Sequence, residues 1–390
     1  MAARRRLLWK RALCACGSLL CAARALYAEP SPQQAPAAPP ASESATAAEV
    51  TPSAAVAAAA QQTSVSTALV PLGSYAPETS VALGLMFVLF TDVKSPGERP
   101  SSIEALGMAT ARRQLLFELQ PDRYWDEQRF HLWNKLEYRY YPDRFFGVGN
   151  DVPNHPVSYT RQMLRGRLLF ERRLLGSLWL GGYTEAMYVD PVYGAAAPRF
   201  AEVPGRDGGL AVGVGPQLAW DSRDSALAAS EGTLLSLQAI SYLHQLGGDY
   251  AFWRLVADAR QVLGLGGGHV LALRALLVRN SAQVPYYMMA QLGGPDLLRG
   301  YYQGRFQDRA LSALEFEYRT PFVWRLGAAV FGGVGRVSED ITGLKLEGWH
   351  PSMGAGLRLN VARAEKLNLR VDAGVGSDGP ALYVGVGEAF

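Results

Sequence analysis

From Thr67 onward, apolar and polar side chains alternate with period two in run after run. No run stays apolar for the roughly 18 residues that a membrane-crossing helix needs. In residues 313–319, Leu314, Phe316 and Tyr318 stand against Glu315, Glu317 and Arg319. In residues 353–361, Met353, Ala355, Leu357 and Leu359 oppose Gly354, Gly356, Arg358 and Asn360, and in residues 367–375, Leu367, Leu369, Val371 and Ala373 oppose Asn368, Arg370 and Asp372. Successive side chains of a strand point to opposite faces, so each run has one apolar face and one polar or charged face. A soluble sandwich alternates too, but it has no reason to repeat Arg, Glu and Asp so regularly over strands of this length. Lipid cannot satisfy an open sheet edge, so strands that turn apolar faces to a bilayer close into a barrel around a polar lumen. Sixteen runs can be counted, the first near Thr67 and the last near Pro380. The expected fold is therefore all-β, a 16-stranded antiparallel transmembrane β-barrel in outer-membrane lipid. An even count puts both ends of the sheet on the periplasmic side. Tyr138, Tyr140, Tyr141, Trp220, Tyr242 and Trp324 lie near run ends, where interfacial girdles sit.

The segment before the barrel divides in two. Arg4, Arg5, Arg6, Lys10 and Arg11 precede a short apolar stretch, residues 12–20, and then small residues up to Ala28. That order reads as a cleaved secretory signal over residues 1–28. All three cysteines, Cys14, Cys16 and Cys21, fall inside it, so the exported chain is expected to have neither a disulfide framework nor a thiolate metal site. Residues 29–66 are rich in Ala, Pro, Gln, Ser and Thr. They offer too little apolar surface to offset ordering entropy, and they read as a disordered linker. Residues 67–390 form the barrel domain.

Several function classes are disfavoured. The net charge is +3 and the arginines are scattered along strands, which is no nucleic-acid footprint. His131, His155, His244, His269 and His350 lack metal-ligand spacing, so no metal is expected. The glycines at 264 and 266–268 lack the lysine and helix of a phosphate loop, and no nucleophile elbow is present. A non-enzymatic protein without cofactor is expected.

One loop is more specific. Residues 293–306, Gly-Gly-Pro-Asp-Leu-Leu-Arg-Gly-Tyr-Tyr-Gln-Gly-Arg-Phe, lie between the eleventh and twelfth runs. The Arg299-Gly300-Tyr301 triplet, the run 313–319 and a last run from Tyr383 to Phe390 together resemble the BamA/TamA superfamily. This is the bacterial surface antigen family of outer-membrane assembly and translocation barrels. The resemblance covers roughly residues 69–390.

That resemblance implies an Arg-Gly-Tyr loop folded into the barrel, its arginine bonded to an aspartate in a Phe-x-Asp-x-Gly motif on strand thirteen. The matching residues are Phe331, Gly333 and Gly335, with glycine where the aspartate is expected. Alternation puts Glu315, Glu317 and Asp372 on the same lumenal face, with Glu317 the favoured partner and Asp372 the fallback. Tyr383 and Phe390 resemble the sorting signal read by the barrel-assembly machinery, which would make this chain its client. Gly385 and Gly387 would weaken the last strand and with it the closing seam. Residues 29–66 leave no room for the family's periplasmic POTRA domains, which implies a separate POTRA-bearing or periplasmic partner. The expected function is insertion or transport of polypeptide, or of lipid, at the outer membrane. The alternatives are a passive pore or structural barrel, and a lipid-acting barrel enzyme.

Overall fold

A computed structural model of the chain describes residues 65–91, 101–193, 203–225, 228–341, 347–362 and 367–390. The signal segment and nearly all of the linker lie outside them. The strands are β1 (Val65–Ala76), β2 (Ser80–Thr91), β3 (Ser101–Thr110), β4 (Leu115–Trp125), β5 (Phe130–Phe145) and β6 (Val157–Leu175). Then come β7 (Leu178–Tyr193), β8 (Gly209–Asp221), β9 (Gly232–Tyr242), β10 (Phe252–Gly266) and β11 (His269–Asn280). Two short strands, β12 (Ala290–Leu292) and β13 (Phe306–Asp308), precede β14 (Ala310–Arg319), β15 (Leu326–Ser338), β16 (His350–Ala362), β17 (Leu367–Gly376) and β18 (Gly379–Val386). Sixteen of these close into one antiparallel barrel, in which β14 follows β11 directly and β12 pairs only with β13.

The alternation sets the faces. Leu83, Leu85 and Phe87 on β2 and Leu235 and Leu237 on β9 are exposed, forming part of the apolar belt that faces lipid. Asn134, Glu137, Glu185, Glu317, Arg358 and Asp372 are buried on the other face and line the lumen. Connections such as 176–177 and 267–268 are two-residue turns, whereas 243–251 and 281–309 are long loops. Short turns mark the periplasmic end of such barrels and long loops the extracellular end.

Three details differ from the sequence reading. The first strand begins at Val65, two residues earlier than expected. Tyr141 and Tyr242 are no girdle residues: Tyr141 lines a lumenal cavity with Glu78, Arg161 and Gln303, and Tyr242 is fully buried, its hydroxyl donating to Glu185 at 2.8 Å. Gly387 lies beyond β18, so it does not weaken the last strand from within.

The weakness of the seam has another origin. β1 pairs with β2 over its whole length, from Val65↔Thr91 to Ala76↔Ser80. With β18 it shares a single register pair, Tyr75↔Val384. β18 meanwhile pairs with β17 from Leu369↔Val386 to Gly376↔Gly379. Among the described residues, Val65 to Ser74 have no register partner on β18.

Candidate functional site

The loop 281–309 folds inward and caps the lumen. Its short β12–β13 hairpin, Ala290↔Asp308 to Leu292↔Phe306, gives it an internal frame that the sequence reading did not include. Leu292, Leu298, Tyr301 and Phe306 leave water together, packing on Leu311, Ala313 and Val337 of the wall. At the hairpin's base, Tyr286 and Met288 pack on Tyr159, Tyr183 and Tyr242.

Glycines bring the backbone close. Gly300 has φ 126°, a conformation that side-chain-bearing residues rarely adopt. A Cβ there would lie 2.6 Å from the carbonyl carbon of Val375, and one on Gly374 would lie 2.5 Å from the Arg299 oxygen. A Cβ on Gly335 would meet Leu292 at 2.5 Å. β15 and β17 thus offer a bare floor on which the loop rests.

Arg299 is held at the centre. Its Nη2 lies 2.6 Å from Glu317 Oε2 and its Nη1 2.6 Å from Asp372 Oδ2. The guanidinium carbon sits 3.4 Å from the centre of the Phe331 ring, a cation–π contact in a dry setting. The favoured partner and the fallback therefore bind together, one on each side of the fork. Glu315 does not bond to Arg299: it accepts from the Leu298 N–H at 2.8 Å and lies 3.7 Å from Arg274. Leu298 has a left-handed φ of 50°, and that hydrogen bond helps hold it there.

Gly333 stands where the resemblance implies an aspartate. It pairs directly with Glu315, and a Cβ on it would come within 2.9 Å of Glu315 Cγ. The carboxylates that meet Arg299 come instead from β14 and β17.

Around Arg299 the charges form a connected set. Arg319 Nε reaches Glu317 at 2.8 Å, Arg358 Nη2 reaches Glu317 at 3.3 Å, and Arg358 also pairs with Asp372. Glu388 completes it, 2.7 Å from Arg358 Nε. Arginines 299, 319 and 358 meet carboxylates 317, 372 and 388, each nearly or fully buried, and Arg370, itself paired with Asp296, lies 3.8 Å from Asp372. Such a cluster is tolerable in a low-dielectric site because its charges balance and its polar atoms are bonded.

Tyr383 ties the last strand to the loop. Its hydroxyl accepts from the Gly300 N–H at 3.0 Å and donates to the Tyr301 carbonyl at 2.7 Å. Tyr301 in turn donates to the Pro351 carbonyl at 2.8 Å. Sequence reasoning missed Arg305, which pairs with Asp378, donates to the Val152 carbonyl at 3.1 Å, and lies over Phe146 and Phe306 at 4.8 and 4.5 Å. Its only signal was the nearby Gly304-Arg305-Phe306, a glycine, an arginine and an aromatic in a different order from Arg299-Gly300-Tyr301. Phe390 lies outside β18, turned inward against Ala229, Val262, Val270 and Ala272.

Burial also isolates Glu78 in the β1–β2 turn. Desolvation lifts its carboxyl to about 7, opposed by its own backbone N–H and that of Gln303 on the loop, and aided by Asp143 and Asp296.

A polar lumen, a belt facing lipid and an inward-folded loop held by a buried arginine define an integral outer-membrane β-barrel. The chain belongs to the Omp85 superfamily, whose domain model matches residues 158–376. Its barrel superposes on BamA from Haemophilus ducreyi lacking POTRA domains 1–3 with a TM-score of 0.56, at 12% identity, covering 84% of this chain and 70% of that one. CdiB from Acinetobacter baumannii gives 0.54 at 11% identity, covering 83% of this chain and 60% of that one. CdiB from Escherichia coli gives 0.55 at 10% identity, covering 83% and 62%. The chain thus spans less than two thirds of either CdiB. No curated protein matches its sequence.

Proposed function

We propose that this barrel assists the insertion or transport of polypeptide at the outer membrane through the junction of β1 and β18. The observation that carries this reading is the edge of β1, which is in register with β18 only at Tyr75↔Val384. A strand edge with unpaired N–H and C=O groups in a membrane is a template for an incoming strand. In this reading Arg299, Glu317 and Asp372 keep the loop seated while the seam works, and Gly300, Tyr301 and Tyr383 fix its position. The chain acts without catalytic chemistry. A separate periplasmic partner, POTRA-bearing or otherwise, delivers the substrate, and residues 1–28 export the chain. Lipid passing along the same edge is the lesser variant.

The test is reconstitution in liposomes with a small β-barrel client. The barrel should speed client folding, a Tyr75→Cys/Val384→Cys disulfide should stop it, and reductant should restore it. Client folding that ignores the closed seam would refute the reading. A plugged passive pore would show the same indifference, together with conductance that persists after the seam is locked.

A further inference from the structure

Beyond Val386 the chain leaves the wall. Gly387, with φ 78°, turns inward while its N–H donates to the Asn368 carbonyl at 2.8 Å. Glu388 follows with a side chain only 3% exposed. It accepts from Arg358 Nε at 2.7 Å and from Asn368 Nδ2 at 2.8 Å, with Arg319 Nε at 3.6 Å. The Phe390 ring then packs on β10, β11 and the 222–231 connection, through Val262, Val270, Ala272 and Ala229. Arg319 clamps this end, donating to the main-chain oxygens of Ala229 and Phe390, both at 3.1 Å.

In the order of strands round the barrel, β18 and β10 are separated by β17, β16, β15, β14 and β11. The tail therefore runs across the lumen as a chord, from the seam to a distant stretch of wall.

We propose that residues 387–390 are an internal strap that makes β18 the fixed lip of the seam, so that the β1–β2 edge is the one that moves. Three observations converge. β18 holds β1 at one register pair, so the ladder alone does little to fix the two edges relative to each other. β18 is held from inside at two heights, by Tyr383 on the loop and by Glu388 and Phe390 on β16, β17, β14, β11 and β10. Glu388 also shares Arg358 and Arg319 with Glu317, the carboxylate that holds Arg299. Strap and loop lock are then one ionic body, and β1 is no part of it. The β1–β2 turn lies beside the loop at Glu78, which lines a small cavity with Gln303 and Gly304. This inference concerns which edge moves and does not depend on what the barrel carries.

The barrel residues contain no cysteine, so spin labels can be placed freely. Three outward positions serve: Leu382 on β18, Leu69 on β1 and Leu273 on β11 as reference. Two labelled proteins, Leu382→Cys/Leu273→Cys and Leu69→Cys/Leu273→Cys, are measured by double electron–electron resonance in proteoliposomes, with heat-modifiable gel migration verifying closed barrels. The distance distribution from β18 should be at least twofold narrower than that from β1. Glu388→Ala should widen the β18 distribution to match β1, and Phe390→Ala should widen it part of the way. A β18 distribution as wide as that of β1 in the unsubstituted barrel would overturn the proposal, as would one that neither change widens. If Glu388→Ala does not fold, Phe390→Ala decides alone, because it leaves every ion pair in place.

Discussion

Arg299 is forked between Glu317 and Asp372, so loss of either carboxylate still leaves it one partner. Replacing one member of a buried ion set strands the others, an effect of about 3–5 kcal/mol where no partner remains and less where one does. Arg299→Ala should therefore loosen the loop more than Glu317→Ala or Asp372→Ala alone, read as faster protease nicking near residues 303–309. Arg299→Ala combined with Glu317→Ala should be less than additive. Strict additivity would mean that the two side chains do not act together. Arg299→Lys should recover little, because an ammonium cannot span two carboxylates as the planar fork does. Glu78 supplies a pH effect. Its folded pKa, about 7, lies above the ordinary 4.5, so the folded state binds more protons between these values. The stability contributed by Glu78 should be fully present below about pH 4.5 and be lost as pH rises through about 7. Glu78→Gln should abolish that slope in pH-dependent nicking, and an unchanged slope would point to another group. The sequence put Glu315, Glu317 and Asp372 on one face but gave no heights along it. Height follows from the stagger of neighbouring strands, a property of the closed sheet, so the sharing of Arg299 and the diversion of Glu315 to Leu298 were not visible. Glu388 was missed because it follows the last strand, where alternation no longer assigns a face.

Among the elements, strand number and order were legible because each lipid-facing run repeats a two-residue period between turn-forming clusters. The starts near Gly209 and Gly232 match β8 and β9. The β12–β13 hairpin was not, since three-residue strands carry no period. Tyr242 was misassigned because nearness to a run's end says nothing about face: with Gln238 bonded to Gln217 in the lumen, parity carries Tyr242 inward as well. Facing also governs tolerance. Leu235→Arg places a charge in lipid and should destabilise the barrel by about 2–4 kcal/mol if it lies near the midplane. Gln238→Arg, on the lumenal face of the same strand, should be nearly neutral. Urea titration of heat-modifiable migration would compare the two, and equal losses would contradict the assigned faces. The loop makes its own prediction. Since 281–309 caps the lumen, the intact barrel should show small conductance in planar bilayers, and deleting residues 291–307 should raise it severalfold. Unchanged conductance would mean that the loop is not the barrier.

For the whole molecule, the fold places strong closure everywhere but at one line. Fifteen of the sixteen junctions are long ladders, and the β1–β18 junction is a single pair. The ion set tying loop to wall stands beside that line on the β18 side, so stiffness is distributed asymmetrically round the ring. The lock also has a direction in time. Arg299 precedes Glu317, Arg358, Asp372, Tyr383 and Glu388 in the chain, and its partners lie on β14, on each of the last three strands and beyond them. During synthesis and export the loop emerges before most of what fastens it. A chain stopped short of β17 could build much of the wall and still leave Arg299 without Asp372, without Tyr383 on the loop backbone and without Glu388 to balance Arg358. Seating of the loop thus reports that the last strands have arrived, a molecular proof of completeness written into the order of the residues.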